Sequence, residues 1–156
     1  MVLVSTITVF LSACLRFSIQ PMIAKTLLPI FGGGSSVWTT CMLFYQSLLL
    51  LGYLYAHILM TRFGRSAQML IHTSVLLTAL GVGILFDTPQ APEHASTFPV
   101  PWLIWQLLLI SGLPFFAISS AGPLIPGWFA RTDHPRAHDP YFLYAARNTG
   151  SLIGLL

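Results

Sequence analysis

The sequence has very few charged side chains. Only 7% of its 156 residues are Asp, Glu, Lys or Arg, and its mean hydropathy is +0.78. A soluble domain has about 25% charged residues, because its surface must be solvated by water. Seven basic and four acidic residues cannot cover such a surface. The composition therefore excludes an ordinary soluble domain and predicts a membrane protein.

Cysteine and clustered charge are also scarce. The two cysteines, Cys14 and Cys41, both lie in apolar stretches, which indicates small membrane-embedded side chains rather than a disulfide framework. The formal net charge is +3, but the basic residues are spread among apolar segments and form no basic patch. We therefore expect no nucleic-acid partner, and we interpret the basic residues as signals of membrane topology.

Catalytic motifs are missing as well. The sequence contains no carboxylate pair, Ser-His-Asp set, recognisable metal-ligand spacing or nucleotide fingerprint. The triple glycine at 32–34 has no strand before it and no Lys-Ser/Thr pair after it, so it predicts a turn and not a phosphate loop. On its residues alone the chain is not expected to be an enzyme.

Long apolar runs are what the sequence does contain. A helix needs about 20 apolar residues to cross a bilayer. We predict an all-α integral membrane protein, a single domain over residues 1–156 that forms a bundle of four transmembrane helices plus a partial fifth. The predicted spans are 2–30, 37–61, 66–86, 102–124 and 141–156, of which the last is marginal for a crossing.

Proline and glycine mark where these spans bend or end. Pro21 and Pro29 predict a kink in the first span, and Pro114 predicts one in the fourth. The glycine run after the first span predicts a tight turn, with Ser35 or Ser36 as the N-cap of the second span. We expect the first two helices to form a close antiparallel pair.

The loops differ in charge. The loops between spans two and three and between spans four and five each contain two arginines, whereas the loop 87–101 is acidic. Lys and Arg favour cytoplasmic loops, so we expect these two loops and the N-terminus to face the cytoplasm. The four residues are Arg62, Arg65, Arg131 and Arg136.

Several polar side chains lie at membrane depth, where they are costly and usually face a cavity or a partner. Two interpretations carry equal weight: burial within the bundle as a contact for a ligand or partner, or snorkelling and bonding to carbonyls freed near a proline. No carboxylate lies in these spans, so an anionic ligand fits better than a cation. The residues are Arg16, Gln20, Lys25, Arg147 and Asn148.

Two histidines flank the loop between spans two and three. In an antiparallel pair of helices, His57 and His72 would lie at similar depth, where neutral imidazoles could ligate a haem, a chlorophyll-type pigment or a metal. More often such residues hydrogen-bond a neighbouring helix. The sequence requires no cofactor, and these two residues are its candidate cofactor contacts.

Several motifs occur in an order that resembles a known membrane module. They are Gln20–Pro29 (QPMIAKTLLP), the glycine run with Trp38, Gly52–His57 (GYLYAH), Pro114–Ala117 (PFFA) and Asp139–Ala146 (DPYFLYAA). Together they resemble the N-terminal membrane module of bacterial fused spermidine-synthase-like proteins. The resemblance implies a location in a bacterial inner membrane, further helices that are loosely comparable to a major-facilitator bundle, and a Rossmann-like aminopropyltransferase domain. No catalytic residue of that domain has a counterpart here.

Three functions follow from these observations. The first is a non-catalytic membrane subunit or scaffold that packs against other integral membrane subunits, for example in a photosynthetic or respiratory complex. The second is a transporter-like module that binds a small anionic ligand in a cavity opened near Pro21 and Pro114. The third is the membrane anchor of a spermidine-synthase-like enzyme.

Overall fold

The structure, a computed structural model, describes residues 1–85, 99–137 and 139–156. Within these residues every regular element is a helix. Four helical segments are long and apolar enough to cross a membrane, as judged by length and composition. The chain is therefore a multi-pass membrane protein with an all-α bundle, which confirms the predicted fold class. Most of the predicted acidic loop lies outside the described residues.

The helices begin and end close to the predicted positions. The fourth span is one continuous run made of α4, a π-helical turn and α5, and it begins before Trp102 and continues past residue 124. The bounds are α1 Val2–Phe31, α2 Ser35–Arg62, α3 Arg65–Leu85, α4 Pro99–Leu107, the π-helical turn Leu108–Gly112, α5 Leu113–Ala130 and α6 Tyr141–Ile153.

The turn after α1 depends on its glycines. Gly32 and Gly33 have φ angles of +93° and +64°, in the left-handed region that L side chains rarely adopt. The amide of Gly33 donates to the carbonyl of Leu28 at 2.8 Å, which closes the end of α1. The N-cap of α2 is Gly34, so the predicted serine cap is wrong, and Ser35 is the first residue of the helix.

The fourth span is distorted just before Pro114. A proline lacks the N–H that would bond one turn back, and the chain adopts a π-helical turn at Leu108–Gly112. Ser111 within this turn donates to the carbonyl of Leu107 at 3.0 Å and hydrogen-bonds the Tyr45 hydroxyl of α2 at 3.0 Å. The predicted irregularity at Pro114 therefore falls in the turn that precedes it.

Helix α5 is the centre of the bundle and packs against α1, α2 and α3. Gly52 of α2 lies so close to α5 that a Cβ atom there would be 3.2 Å from the Cβ of Ser119. Helices α1 and α2 meet around their connecting turn, through residues such as Ala24 and Cys41, but each packs more extensively against other helices. Helix α3 likewise packs more extensively against α5 than against α2.

Helix α6 is short and packs against α1. Its 13 residues are fewer than the roughly 20 that a crossing needs, and the sequence predicts a segment that is marginal for a crossing. Gly150 and Gly154 form a GxxxG motif, and Cβ atoms at these positions would collide with the α1 backbone at Phe10 and Cys14. The contact pairs run in the same direction along both chains, so α6 is parallel to α1.

The two arginine-bearing connections lie at the same end of the bundle. Arg131, at the end of α5, donates through Nη2 to the carbonyl of Met60 near the end of α2, at 3.2 Å. A small cavity of about 150 Å³ brings Arg65 together with Phe129 and Thr132. This grouping agrees with the charge pattern from which the cytoplasmic orientation was predicted, and the orientation itself stays a prediction.

Candidate functional site

Arg16 lies midway along α1, and its guanidinium is inside the bundle. The residue is only 4% exposed, and its Nε has no hydrogen-bond partner among the described residues. Its Nη1 packs against the backbone of Gly122 in α5, 3.7 Å from where a Cβ atom would lie. The ring of Phe17 lies 5.3 Å from the guanidinium carbon. The positive charge of Arg16 therefore lies deep in the bundle.

A second guanidinium approaches the same place from α6. Arg147 donates through Nη2 to the hydroxyl of Tyr53 in α2, at 2.6 Å, and its guanidinium carbon lies 5.8 Å from the centre of that ring. The Tyr53 hydroxyl also interacts with the guanidinium of Arg16. We call these three residues the arginine site. Four helices meet there, since α1, α2 and α6 supply the side chains and α5 the backbone.

The arginine site has no negative charge to balance it within the described residues. The sequence contains four carboxylates, of which Asp87 and Glu93 lie outside those residues. Asp133 and Asp139 are exposed in the connection between α5 and α6, beyond the helices. Burying a charge away from water costs several kcal/mol unless it is paired. An anion held between the two guanidinium groups would offset that cost.

A cavity of about 320 Å³ opens beside the site. Tyr53 and Arg147 line it, together with Gly122 and Tyr144. Its α5 wall also contains Pro123 and Pro126, which lack an N–H, so two carbonyls one turn earlier have no helical donor. This volume is at the lower end of the range for small-molecule sites. The lining combines cationic, aromatic and backbone polar groups, which suits a small anion with an organic part.

The other predicted polar residues divide into two groups. Gln20 is buried one turn after Arg16 on the same face of α1. Lys25 is exposed, because nine residues after Arg16 the helix has turned to its opposite side. The expectation that Lys25 lies inside the bundle is therefore wrong. Asn148 is exposed next to Arg147.

The two histidines do not face one another. His72 is buried, with its ring centre 6.2 Å from that of Tyr55 and 5.9 Å from that of Trp128. His57 is exposed, and it follows Tyr55 by two residues, which places it about 200° around α2. Helix α3, which was expected to pair with α2, contacts α2 but packs more extensively against α5. A ligand shared by His57 and His72 is therefore not supported by this geometry.

A metal centre is not formed by the described part of the chain, in which no three His, Cys, Asp or Glu residues cluster. A haem or chlorophyll-type pigment on either histidine alone stays a prediction. His72 is the better placed of the two, because it lines a cavity.

Sequence reasoning missed two parts of this region. Tyr53 carries no signal that separates it from the other aromatic residues of α2, because its role depends on where α6 lies. The close approach of α6 to α1 did have a signal, the GxxxG spacing of Gly150 and Gly154, which is typical of helix pairs in membranes.

Comparison with known proteins adds no identity. The chain matches no family model, no curated protein and no solved structure. Its resemblance to the membrane module of spermidine-synthase-like proteins therefore stays a proposal that depends on the motifs quoted above.

Proposed function

We propose that the chain is a membrane-embedded module that binds a small anionic ligand at the arginine site, in the manner of a transporter half. The observation that carries this proposal is the convergence of Arg16 and Arg147 on one tyrosine hydroxyl, beside a cavity and without a carboxylate in contact among the described residues. Unbalanced charge inside a membrane protein is expensive and is usually retained for function.

The chemistry of the site indicates which anions to test. A guanidinium is a planar fork of donors that matches carboxylate and phosphate oxygens. The Tyr53 hydroxyl already accepts one donor from Arg147, and its own proton can be donated to a ligand oxygen. The aromatic rings of Tyr53 and Tyr144 provide contacts for an apolar part of the ligand. A small organic carboxylate or phosphate ester fits these features.

Binding measurements test the proposal directly. The purified protein in detergent is titrated calorimetrically with inorganic phosphate and with a panel of small mono- and dicarboxylates. We expect Arg147→Gln and Arg16→Met to weaken binding of the preferred anion by roughly 10- to 100-fold. Lys25→Leu is the matched control, because it removes an exposed positive charge from the same helix as Arg16. Equal affinity in all four proteins would reject the proposal.

A second candidate function, a non-catalytic subunit that docks onto other membrane proteins, is favoured by the outer face of α3. Ser74, Thr78 and Gly81 form a small-residue stripe on this face, and all three are exposed. Small residues let helix backbones approach closely in lipid. We expect the Gly81→Leu variant to lose the partner subunits that copurify with the wild-type protein from native membranes. If the wild-type protein itself purifies without partner subunits, this function is rejected.

A further inference from the structure

A long groove separates α1 from α3. Both helices pack against α5 but leave a cavity of about 470 Å³ between them. The residues of α1 and α3 that line it include no glycine, in contrast to the contact between α1 and α6, where α6 supplies two. The lining is mostly apolar and includes Val4, Leu11, Leu15, Leu76, Ile118 and Trp128.

The groove has a cationic end. The 150 Å³ cavity at the arginine-bearing end of the bundle shares Ser5, Ile125 and Trp128 with the groove, so the two cavities adjoin. Arg65 and Thr132 line this end. Arg65 is also the first residue of α3, where the helix dipole and the unpaired amides of the first turn favour an anion. The two cavities therefore combine an apolar groove with one positively charged end.

A buried histidine lies within the apolar part. His72 is 5% exposed, lines the groove, and has an Nδ1 atom without a hydrogen-bond partner among the described residues. The rings of Tyr55 and Trp128 pack on it and fix its position. A polar group in such surroundings is costly unless a ligand or water completes its hydrogen bonding.

The length of the groove indicates its occupant. The α1 residues that line it extend from Val4 to Leu15, a rise of about 16 Å. This is close to half of the roughly 30 Å hydrocarbon core, which is the depth reached by an acyl chain of one leaflet. A spanning helix of a partner protein would need twice that length.

We propose that the groove is a binding site for one anionic phospholipid of the adjacent leaflet. The phosphate lies at Arg65, one acyl chain follows α1 towards Leu15, and His72 hydrogen-bonds an ester oxygen of the glycerol region. If the arginine-bearing end faces the cytoplasm, as the charge pattern predicts, the anionic lipids of that leaflet supply the ligand.

Lipid retention tests this site. The full chain is reconstituted in vesicles of phosphatidylglycerol and phosphatidylcholine in equal parts, re-extracted in detergent, washed extensively, and assayed by native mass spectrometry. We expect about one phosphatidylglycerol per chain to survive washing, selected over phosphatidylcholine. Arg65→Gln should reduce that selectivity roughly tenfold, because the headgroup charge loses its partner.

A matched pair of variants separates the groove from ordinary lipid contact. Thr8 lines the groove and Thr26 lies outside it, and both are exposed α1 threonines that bond the carbonyl four residues earlier. Thr8→Phe should fill the groove and abolish retention, whereas Thr26→Phe should retain lipid as the wild type does. Retention that survives Thr8→Phe, equal retention of both lipids, or a bound polypeptide in place of lipid would each overturn the proposal.

Discussion

Helix α1 has two flanks that differ sharply in how they are packed. On one flank α6 approaches through Gly150 and Gly154 until the two backbones touch. On the other flank α3 does not pack closely against α1, and a groove of 470 Å³ lies between the two helices. Helix α5 supports both neighbours. Helix α1 is therefore in backbone contact with α6 and is separated from α3 by a groove.

This difference shows what holds helices together in lipid. Lipid tails are as apolar as leucine, so burying apolar area gives little reason for two helices to meet. Two glycines of α6 allow backbone contact and many dispersion contacts at the α6 flank, whereas the residues of α1 and α3 that line the groove include no glycine.

Replacing Gly150 with Leu should have the largest effect. A side chain there would collide with the α1 backbone at Phe10, so α6 would have to leave its position. We expect a loss of about 3 kcal/mol in the free energy of unfolding, measured by thermal unfolding in detergent. Gly81→Leu is the matched control, since no described atom lies within 4 Å of a Cβ there. Equal losses in both variants would contradict the close α1–α6 contact.

Arg16→Met should have the next largest effect, and with the opposite sign. Removing an unbalanced buried charge while keeping the side-chain volume should stabilise the unliganded protein by about 1–3 kcal/mol. The same variant should lose anion binding. A fall in thermal stability without ligand would instead show that Arg16 is retained for the fold, and that its charge is balanced in the membrane.

Gln68→Leu, in α3 on the groove side of the bundle, should have a smaller effect on stability. Gln68 is buried, accepts a hydrogen bond from Trp128 Nε1 at 2.8 Å, and donates to the carbonyl of Phe63 at 2.7 Å. Losing these bonds should destabilise the protein by about 1 kcal/mol in thermal unfolding. Gln46→Leu, at an exposed position of α2, is the control and should change stability less. A larger loss at Gln46 would contradict this assignment.

Lys25→Leu should have the smallest effect. The side chain is exposed and lies on the opposite side of α1 from Arg16. We expect a change within about 0.5 kcal/mol in stability and no change in anion affinity. A loss of binding in this variant would place the ligand outside the arginine site.

The helical spans could be predicted because hydropathy and length are sufficient to locate a membrane-crossing segment. The neighbours of each helix could not be predicted. In a soluble helix the apolar stripe marks the buried face, but here exposed Leu70 and buried Leu107 are chemically the same, because lipid and protein interior are both apolar. The pairing of α3 with α2 was therefore assumed from chain order, whereas α3 packs mainly on α5.

The candidate site could be predicted in part. Arg16 and Gln20 stood out because polar groups are costly at membrane depth, and the structure places both inside the bundle. Lys25 stood out for the same reason, yet its side chain is exposed. The energetic cost of a polar group at membrane depth does not predict which way its side chain points. Tyr53 joins the site only through the position of α6, which the spacing of two glycines hints at but does not specify.

The π-helical turn at Leu108–Gly112 has a consequence for the register of the fourth span. A π-type turn accommodates about one extra residue, so everything after it is rotated by about 100° relative to a continuous α-helix. The core between α1 and α2 contains Leu107 from before the turn and Phe115 from after it, so the turn determines which residues of the two halves share this face. The extra residue in this turn thus changes which side chains of α5 face each neighbouring helix.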